Sequence, residues 1–220
     1  MCKSQPLVHD VIVSYGEILT AELQRTGLRI PDDQQRLLVV YADELERWNR
    51  RMNLTGLRGI ALVRSLIVEP VSIAQLLHLS GILMDVGSGN GSPAIPICVT
   101  SGIVEGHLVE ARLKRAAFLR HIVGRLQLKR VSVHRQRLEE MTDIVGMTGH
   151  SIACPDWITL QAVAPTPDLL EALGRMSKST TKVVWVTSNG IPPILPAQHV
   201  VLPGSATEAW VFGLDQSWPI

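Results

Sequence analysis

The stretch Met84-Asp85-Val86-Gly87-Ser88-Gly89-Asn90-Gly91-Ser92-Pro93 places three glycines at alternate positions directly after a short apolar run, Ile82 to Val86. Glycine loses more backbone freedom on folding than any other residue, so this arrangement costs stability and needs a structural reason. In an open α/β sheet the reason is a turn at the carboxyl end of a strand, where main chain must approach a ligand closely. On that reading Gly87 makes the tight turn, Gly89 admits the ligand, and Gly91 relieves packing at the start of the next helix. The spacing is G-x-G-x-G rather than the G-x-G-x-x-G of dinucleotide binders.

The segments around the turn fit such a sheet. Residues 82–86, 107–111, 131–135, 157–160, 182–187, 199–202 and 209–214 each read as a short strand. Residues 112–128 and 168–176 carry helical spacing between them. Strands alternating with helices predict a mostly parallel sheet covered on both faces. The last two strands are joined by a loop alone, which predicts an antiparallel pair at one edge. The first 80 residues read as helices. Val8, Ile12, Tyr15, Leu19 and Leu23 lead to a stop at Gly27. Leu37, Tyr41, Leu45, Trp48 and Met52 form a stripe after Pro31-Asp32-Asp33. A third helix runs from about Ile60 to Leu79 and restarts at Pro70. The expected organisation is a helical extension over 1–80 packed on a core over 81–220.

Composition narrows the class. The chain has 220 residues, 46% hydrophobic and 19% charged, which describes a globular protein able to bury a core. Net charge is +1, but from 71 to 104 the sole charged residue is Asp85, whereas 105–141 holds nine Lys or Arg against four acids. That basic block suits phosphate, or is a solvated helix face. Cys2, Cys98 and Cys154 show no C-x-x-C spacing, which argues against disulfide or zinc frameworks and for a reducing compartment. The seven histidines show no ligand spacing, so no metal is expected. No leader-like segment and no uninterrupted run of about 18 apolar residues is evident, so the expectation is a cytoplasmic protein without a membrane segment. The absence of an evident coiled coil points to a monomer.

Glu110 ends the second strand, 19 residues beyond Gly91. An acid there can accept hydrogen bonds from both ribose hydroxyls. Glycine turn and acid together indicate an adenosine-bearing ligand, either NAD or S-adenosylmethionine. NAD favours a longer loop with a helix N-terminus aimed at its pyrophosphate. Asp85 suits the ammonium of the adenosylmethionine tail, and seven strands with an edge hairpin suit a methyltransferase.

Four stretches in order resemble the small-subunit ribosomal RNA methyltransferase G family, also called glucose-inhibited division protein B. WNRRMNLTGLR (48–58) is similar to its W-N-x-x-x-N-L-T signature, and DVGSGNGSPAIP (85–96) to its glycine loop. VEARLKRAAFL (109–119) is similar to its acid-x-x-x-K-R-x-x-F-L segment, and RLEEM (137–141) to its R-x-E-E turn. The resemblance implies a class I methyltransferase: a Rossmann-like three-layer sandwich on a mostly parallel seven-stranded sheet with an antiparallel edge hairpin and N-terminal helices. It implies S-adenosylmethionine as cofactor and 16S ribosomal RNA in the 30S subunit as partner, with N7 of a guanine as target. It places Asp85, Gly87, Ser88, Gly89, Asn90, Gly91, Glu110, Ala111, Arg137, Leu138, Glu139 and Gln161 at the cofactor. Asn53, Lys114 and Arg115 would face the RNA, and Asn53 and Gln161 are the candidate catalytic residues of a mechanism that works by positioning.

The chain departs from the family at several of these places. Gln161-Ala162 stands where the family has Arg-Ala, LIVEP (66–70) replaces H-I-L-D-S, and VTSNG (186–190) replaces Leu-Lys-Gly. Asn90, Ser92 and Ala94 also differ from the usual loop. Two further readings stay open beside the methyltransferase: a paralogue that binds S-adenosylmethionine and RNA without the transfer, and an NAD-dependent oxidoreductase.

Overall fold

The computed structural model describes residues 14–141, 154–164, 166–187, 197–202, 205 and 207–213. Its strands are β1 (Ser80–Val86), β2 (Gly102–Val109), β3 (Val131–His134), β4 (Trp157–Gln161), β5 (Lys182–Thr187), β6 (Gln198–Val201) and β7 (Glu208–Gly213). They form one sheet in the order β3-β2-β1-β4-β5-β7-β6. The first five are parallel to one another, and β7 runs antiparallel between β5 and β6. The seven expected strands and the antiparallel edge pair are all present, with β6 outermost. β2 starts at Gly102 rather than at the expected His107; its first four residues, Gly102 to Glu105, are mostly exposed, and the apolar pair Ile103-Val104 there shows no inward alternation. Leu214, which the pattern assigned to the last strand, lies outside the described residues.

β1 is the pivot of this order. The chain leaves it toward β2 and β3, then returns to place β4 on its other side, so the end of β1 is a topological switch point. Parallel strands must be covered on both faces, and the side chains alternate accordingly. Leu83, Leu108, Val184, Val186, Ala209 and Val211 point to one buried cluster. Met84, Val86, Ile158, Leu160, Trp185 and Phe212 point to the other.

The helices complete the three layers. They are α1 (Tyr15–Thr26), α2 (Asp32–Asn49), α3 (Gly59–Val63), α4 (Glu69–Leu76), α5 (Ala94–Thr100), α6 (Leu113–Arg125) and α7 (Pro167–Met176). α7 covers one face through Leu169, Ala172, Leu173 and Met176. α1 to α6 share the opposite cluster, so the N-terminal helices and the sheet bury their apolar surface together. Trp48 of α2 meets Phe118 of α6 edge to face at 5.7 Å. α1 begins at a capping box: the Ser14 hydroxyl accepts from the Glu17 N–H, and the Glu17 carboxylate accepts from the Ser14 N–H. Positions 8 and 12, which the pattern added to this helix, lie outside the described residues.

The third expected helix is continuous across Pro70 because α3 and α4 are joined by a π-helical turn, Arg64–Val68. Proline lacks an N–H and its ring crowds the preceding turn, so α-helical bonding cannot pass through unchanged. The chain answers with a wider bond, in which the Glu69 N–H donates to the Arg64 carbonyl five residues back. The segment Gly59–Leu76, with mean hydropathy 1.4 over 18 residues, has the length and apolarity of a membrane span. The uninterrupted-run reading passed it over because Arg64 and Glu69 break it. Here Leu62, Val63, Leu66, Ile67, Val71 and Ile73 are buried in the protein's own core.

Glu22 fastens α1 to this segment. Its Oε1 accepts from Arg64 Nη2 (2.8 Å) and its Oε2 from Arg64 Nε (3.1 Å) and Arg25 Nε (2.9 Å). These donors, Arg64 first, hold its carboxyl at about 2, below its ordinary 4.5, against the opposing effect of burial. A depressed carboxyl contributes stability above the unfolded-state value and loses it as pH falls toward the folded-state value. Glu22→Gln is therefore expected to cost about 1–2 kcal/mol at pH 7, allowing for screening of the half-exposed arginines. In urea titrations the gap between variant and parent should shrink as pH falls from about 4.5 toward 2.

Candidate active site

The glycine turn caps β1. Gly87, Gly89 and Gly91 adopt φ of 74°, 50° and 94°, the left-handed region that a side chain disfavours. Two of the three also lack room. A Cβ on Gly87 would stand 2.7 Å from Val163 Cγ2, and one on Gly91 would stand 3.0 Å from Ile95 Cγ1. The turn is tied to β2, since the N–H groups of Gly87 and Ser88 both donate to the Val109 carbonyl (2.9 and 3.0 Å). From below, the Tyr41 hydroxyl donates to the Asn90 carbonyl (3.0 Å). The α2 stripe read from the sequence as core thus reaches the turn itself. Burial raises the Tyr41 phenol's pKa, so it stays a donor.

Glu110 is 5% exposed and stands beside the turn. Its Oε2 accepts from the Gly89 N–H (3.0 Å) and its Oε1 from the Arg112 N–H (2.8 Å). A carboxylate oxygen has two lone pairs, so each oxygen keeps one acceptor site for a ligand. Asp85 lies under the turn, 1% exposed. Its Oδ1 accepts from the Thr159 hydroxyl (2.6 Å), while Oδ2 has no partner. Desolvation pushes this carboxyl up to about 6, although the Thr159 hydroxyl opposes the shift.

A cleft of about 590 Å³ opens across the ends of β1 to β4. Its wall includes Gly87, Ser88, Gly89, Asn90, Glu110, Ala111, Arg115, Arg137, Leu138, Glu139 and Gln161 from the sequence-derived set. Asp85 and Gly91 lie behind it, beneath the turn. Asn53 and Lys114 are exposed and are not part of this wall. The Arg115 guanidinium passes over the turn, 3.6 Å from where a Gly89 Cβ would be. The helical turn carrying Leu138 and Glu139 is capped by Glu140, whose carboxylate accepts from the Arg137 N–H (3.1 Å).

Other contributors were not read from the sequence. Leu54, Leu66, Arg112, Gln136, Val163 and Thr166 also line the cleft. Asn49 shapes the loop that delivers Leu54: its Oδ1 accepts from the Leu54 and Thr55 N–H groups, and its Nδ2 donates to the Thr55 carbonyl (2.7 Å). The signal was an asparagine closing a helix just before a turn, two residues into the W-N signature. Ala162 takes φ of 54°, an unusual value for alanine, directly after β4. Among the described residues no three of His, Cys, Asp and Glu converge as metal ligands. Of the departures noted at 186–190, residues 188–190 lie outside the described residues.

The strand order, the switch-point turn and the acid at the end of β2 together define a class I methyltransferase fold. A profile described as rRNA small subunit methyltransferase G (GidB) matches residues 34–189, and the chain belongs to that family. Similar proteins of that name include one from Neisseria meningitidis, 33% identical over 181 residues, 80% of this chain and 81% of that one. Another, from Helicobacter pylori, is 32% identical over 142 residues, 64% of this chain and 75% of that one. The fold is also similar to an O-methyltransferase from Bacillus cereus in complex with SAH. There the TM-score is 0.52 at 19% identity, over 77% of this chain and 73% of that one. MtNAS in complex with MTA and tNA gives a TM-score of 0.54 at 17% identity, over 81% and 70% of the two chains.

Two outcomes are expected. Gly87→Ala meets both a positive φ and the stiff Val163 side chain, and should lower stability by about 1–3 kcal/mol in chemical denaturation. Asp85 titrates in the opposite sense to Glu22. Its folded-state pKa is raised, so its contribution is complete below about 3.8 and is lost as pH rises to about 6. Asp85→Asn keeps an acceptor for Thr159 and should remove that slope, leaving the variant more stable than the parent at pH 7 by roughly 3 kcal/mol at most.

Proposed function

We propose that this chain transfers a methyl group from S-adenosylmethionine to N7 of a guanine in 16S ribosomal RNA, acting as a cytoplasmic monomer on the small ribosomal subunit. The observation that carries the reading is the buried Glu110 carboxylate on the cleft wall, braced by two main-chain N–H groups beside the glycine turn. The cradle fits an adenosine with a zwitterionic tail. Side chains at Gly87 and Gly91 would collide with Val163 and Ile95, and at Gly89 a side chain would stand in the ligand's approach. Glu110 can accept from ribose hydroxyls, and the 137–139 segment offers main chain and the Leu138 side chain to an adenine.

When bound, the donor supplies an electrophilic methyl group on a positively charged sulfur. Guanine N7 holds an in-plane lone pair, so the new N–C bond forms while the S–C pair returns to sulfur, and no proton has to leave. The protein's contribution is then alignment within about 3–3.5 Å and exclusion of water. The described residues favour this over other targets. The stretch that closes β4 reads QAVA (161–164), without the paired prolines and aromatic that an exocyclic amine would need. A carbon target wants a thiolate nucleophile. Burial pushes the Cys98 thiol up to about 12, and Cys154 precedes β4, at the end of the sheet opposite the cleft.

A second reading, binding without transfer, draws on Gln161, a neutral amide at a position where the family carries a charge. Calorimetry and nucleoside mass spectrometry separate the possibilities. S-adenosylmethionine and its demethylated product should bind and NAD should not, with Glu110→Ala weakening binding by about 10-fold or more, as expected for one or two hydrogen bonds to a charged group. 30S subunits lacking the mark should gain one 7-methylguanine with the parent protein. Binding without any methylated guanine would support the second reading, and binding of NAD alone would discard both.

A further inference from the structure

We propose that the loop after α2, residues 50–58, docks the RNA backbone, with Arg50, Arg51 and Arg58 holding about two or three phosphates beside the cleft. The inference rests on the RNA-directed reaction proposed above and adds the surface that engages the substrate away from the reacting centre.

Charge is laid out unevenly along the α2–α6 pair. Residues 47–68 contain no Asp or Glu, and neither do residues 111–138. The two stretches face each other, because Trp48 meets both Phe118 (5.7 Å) and His121 (4.9 Å). Glu44, one turn earlier on α2, reaches His121 and Arg125, so the helices run antiparallel and the end of α2 lies toward the start of α6. Both ends also reach the same cleft, one through Leu54 and the other through Arg112 and Arg115.

The cations farther along the pair are neutralised within the protein. The buried Glu44 carboxylate takes Arg47 (3.3 Å), His121 (2.8 Å) and Arg125 (3.9 Å). At the cleft end the pattern reverses. Arg50, Arg51 and Arg58 are exposed, and among the described residues no ion pair or side-chain hydrogen bond holds any of them. Lys114, exposed on the first turn of α6, is unpaired as well. Unpaired like charges repel one another, and a polyanion relieves that repulsion.

The loop is also built to stay in place. Asn49 Oδ1 accepts from the Leu54 and Thr55 N–H groups (2.8 and 3.0 Å), and its Nδ2 donates to the Thr55 carbonyl. The Thr55 hydroxyl accepts from the Leu57 N–H (3.1 Å), and Leu54, buried, anchors the loop on the cleft side. A loop fixed before binding loses less entropy when its ligand arrives. Its three cations are all arginines, whose planar fork meets phosphate oxygens two at a time and sheds water more readily than an ammonium. Phosphate contacts fix the position of a strand and carry no base information. The loop therefore sets where the RNA lies, and the choice of base is left to the cleft.

The test measures retention of 30S subunits lacking the mark on filters over about 50 to 200 mM salt, beside calorimetry with the demethylated donor. One variant combines Arg50→Gln, Arg51→Gln and Arg58→Gln, and a second combines Arg50→Lys, Arg51→Lys and Arg58→Lys. A control combines Lys129→Gln and Arg130→Gln, exposed cations at the amino end of β3, the end of the sheet opposite the cleft. The glutamine triple should flatten the log–log salt dependence by about 2 to 3 units and weaken 30S binding about 10-fold or more. KM for 30S subunits should rise in step, while kcat at saturation stays within about 3-fold and donor-product binding within about 2-fold of the parent. The lysine triple keeps the charge and should keep the salt slope, and the control should match the parent. An unchanged slope in the glutamine triple, an equal loss in the control, or donor-product binding that falls together with 30S binding overturns the inference. Binding needs no methyl transfer, so a parent that methylates no guanine yet shows the loop-dependent slope discards the reaction and supports the docking surface. A parent that retains no 30S subunits overturns both.

Discussion

The hydrogen bond from the Gly89 N–H to Glu110 joins two elements that sequence order keeps apart, the turn after β1 and the end of β2. Its geometry requires Gly89 at φ of 50° and a carboxylate with little solvent around it. A buried carboxylate is costly unless donors surround it, and here two main-chain N–H groups meet it. The same arrangement leaves acceptor capacity turned toward the cleft. The bond thus shapes the turn and fixes one wall of the cleft with one group.

Around that bond the layers act as supports. Tyr41 fastens α2 to the Asn90 carbonyl, and Thr159 of β4 fastens Asp85 of β1. The N-terminal helices, which carry none of the glycine turn, therefore bear on its position. Asp85 illustrates the opposite balance. Its unpaired Oδ2 and raised pKa mark a group kept at some cost to stability directly beneath the turn. Buried titratable groups with perturbed pKa values cluster where function needs them, although networks in the fold can produce them too. Glu22, paired with two arginines away from the cleft, belongs to the second kind.

The cleft walls differ in character. The β2 and β3 ends present Glu110, Arg112, Arg115, Arg137 and Glu139, whereas the β4 side presents Gln161 and Thr166 among Val163, Ala164 and Leu169. The basic block read from the sequence is thus split. Arg112, Arg115 and Arg137 line the cleft, while Lys114 is turned to solvent on the first turn of α6.

Seven strands, their parallel core and edge pair, and the turn with its acid were legible in the chain itself. Their signals are local: runs of β-branched and aliphatic residues, glycines at alternate positions, and an acid one helix further on. The early start of β2 was not legible, because exposed residues carry no burial pattern. Nor was the π turn, which arises where a proline sits in a helix that packing keeps intact. The bracing of the turn by Tyr41, Ser92 and Thr159 was also invisible, since each depends on a partner 49, 69 or 74 residues away in the chain. Sequence alone determined which strand ends would carry the glycine turn and its acid, because turn chemistry is written in adjacent residues. Only the tertiary structure decided which side chains face the cleft, because a one-residue change of direction on a strand or loop turns a group from the cleft to the core.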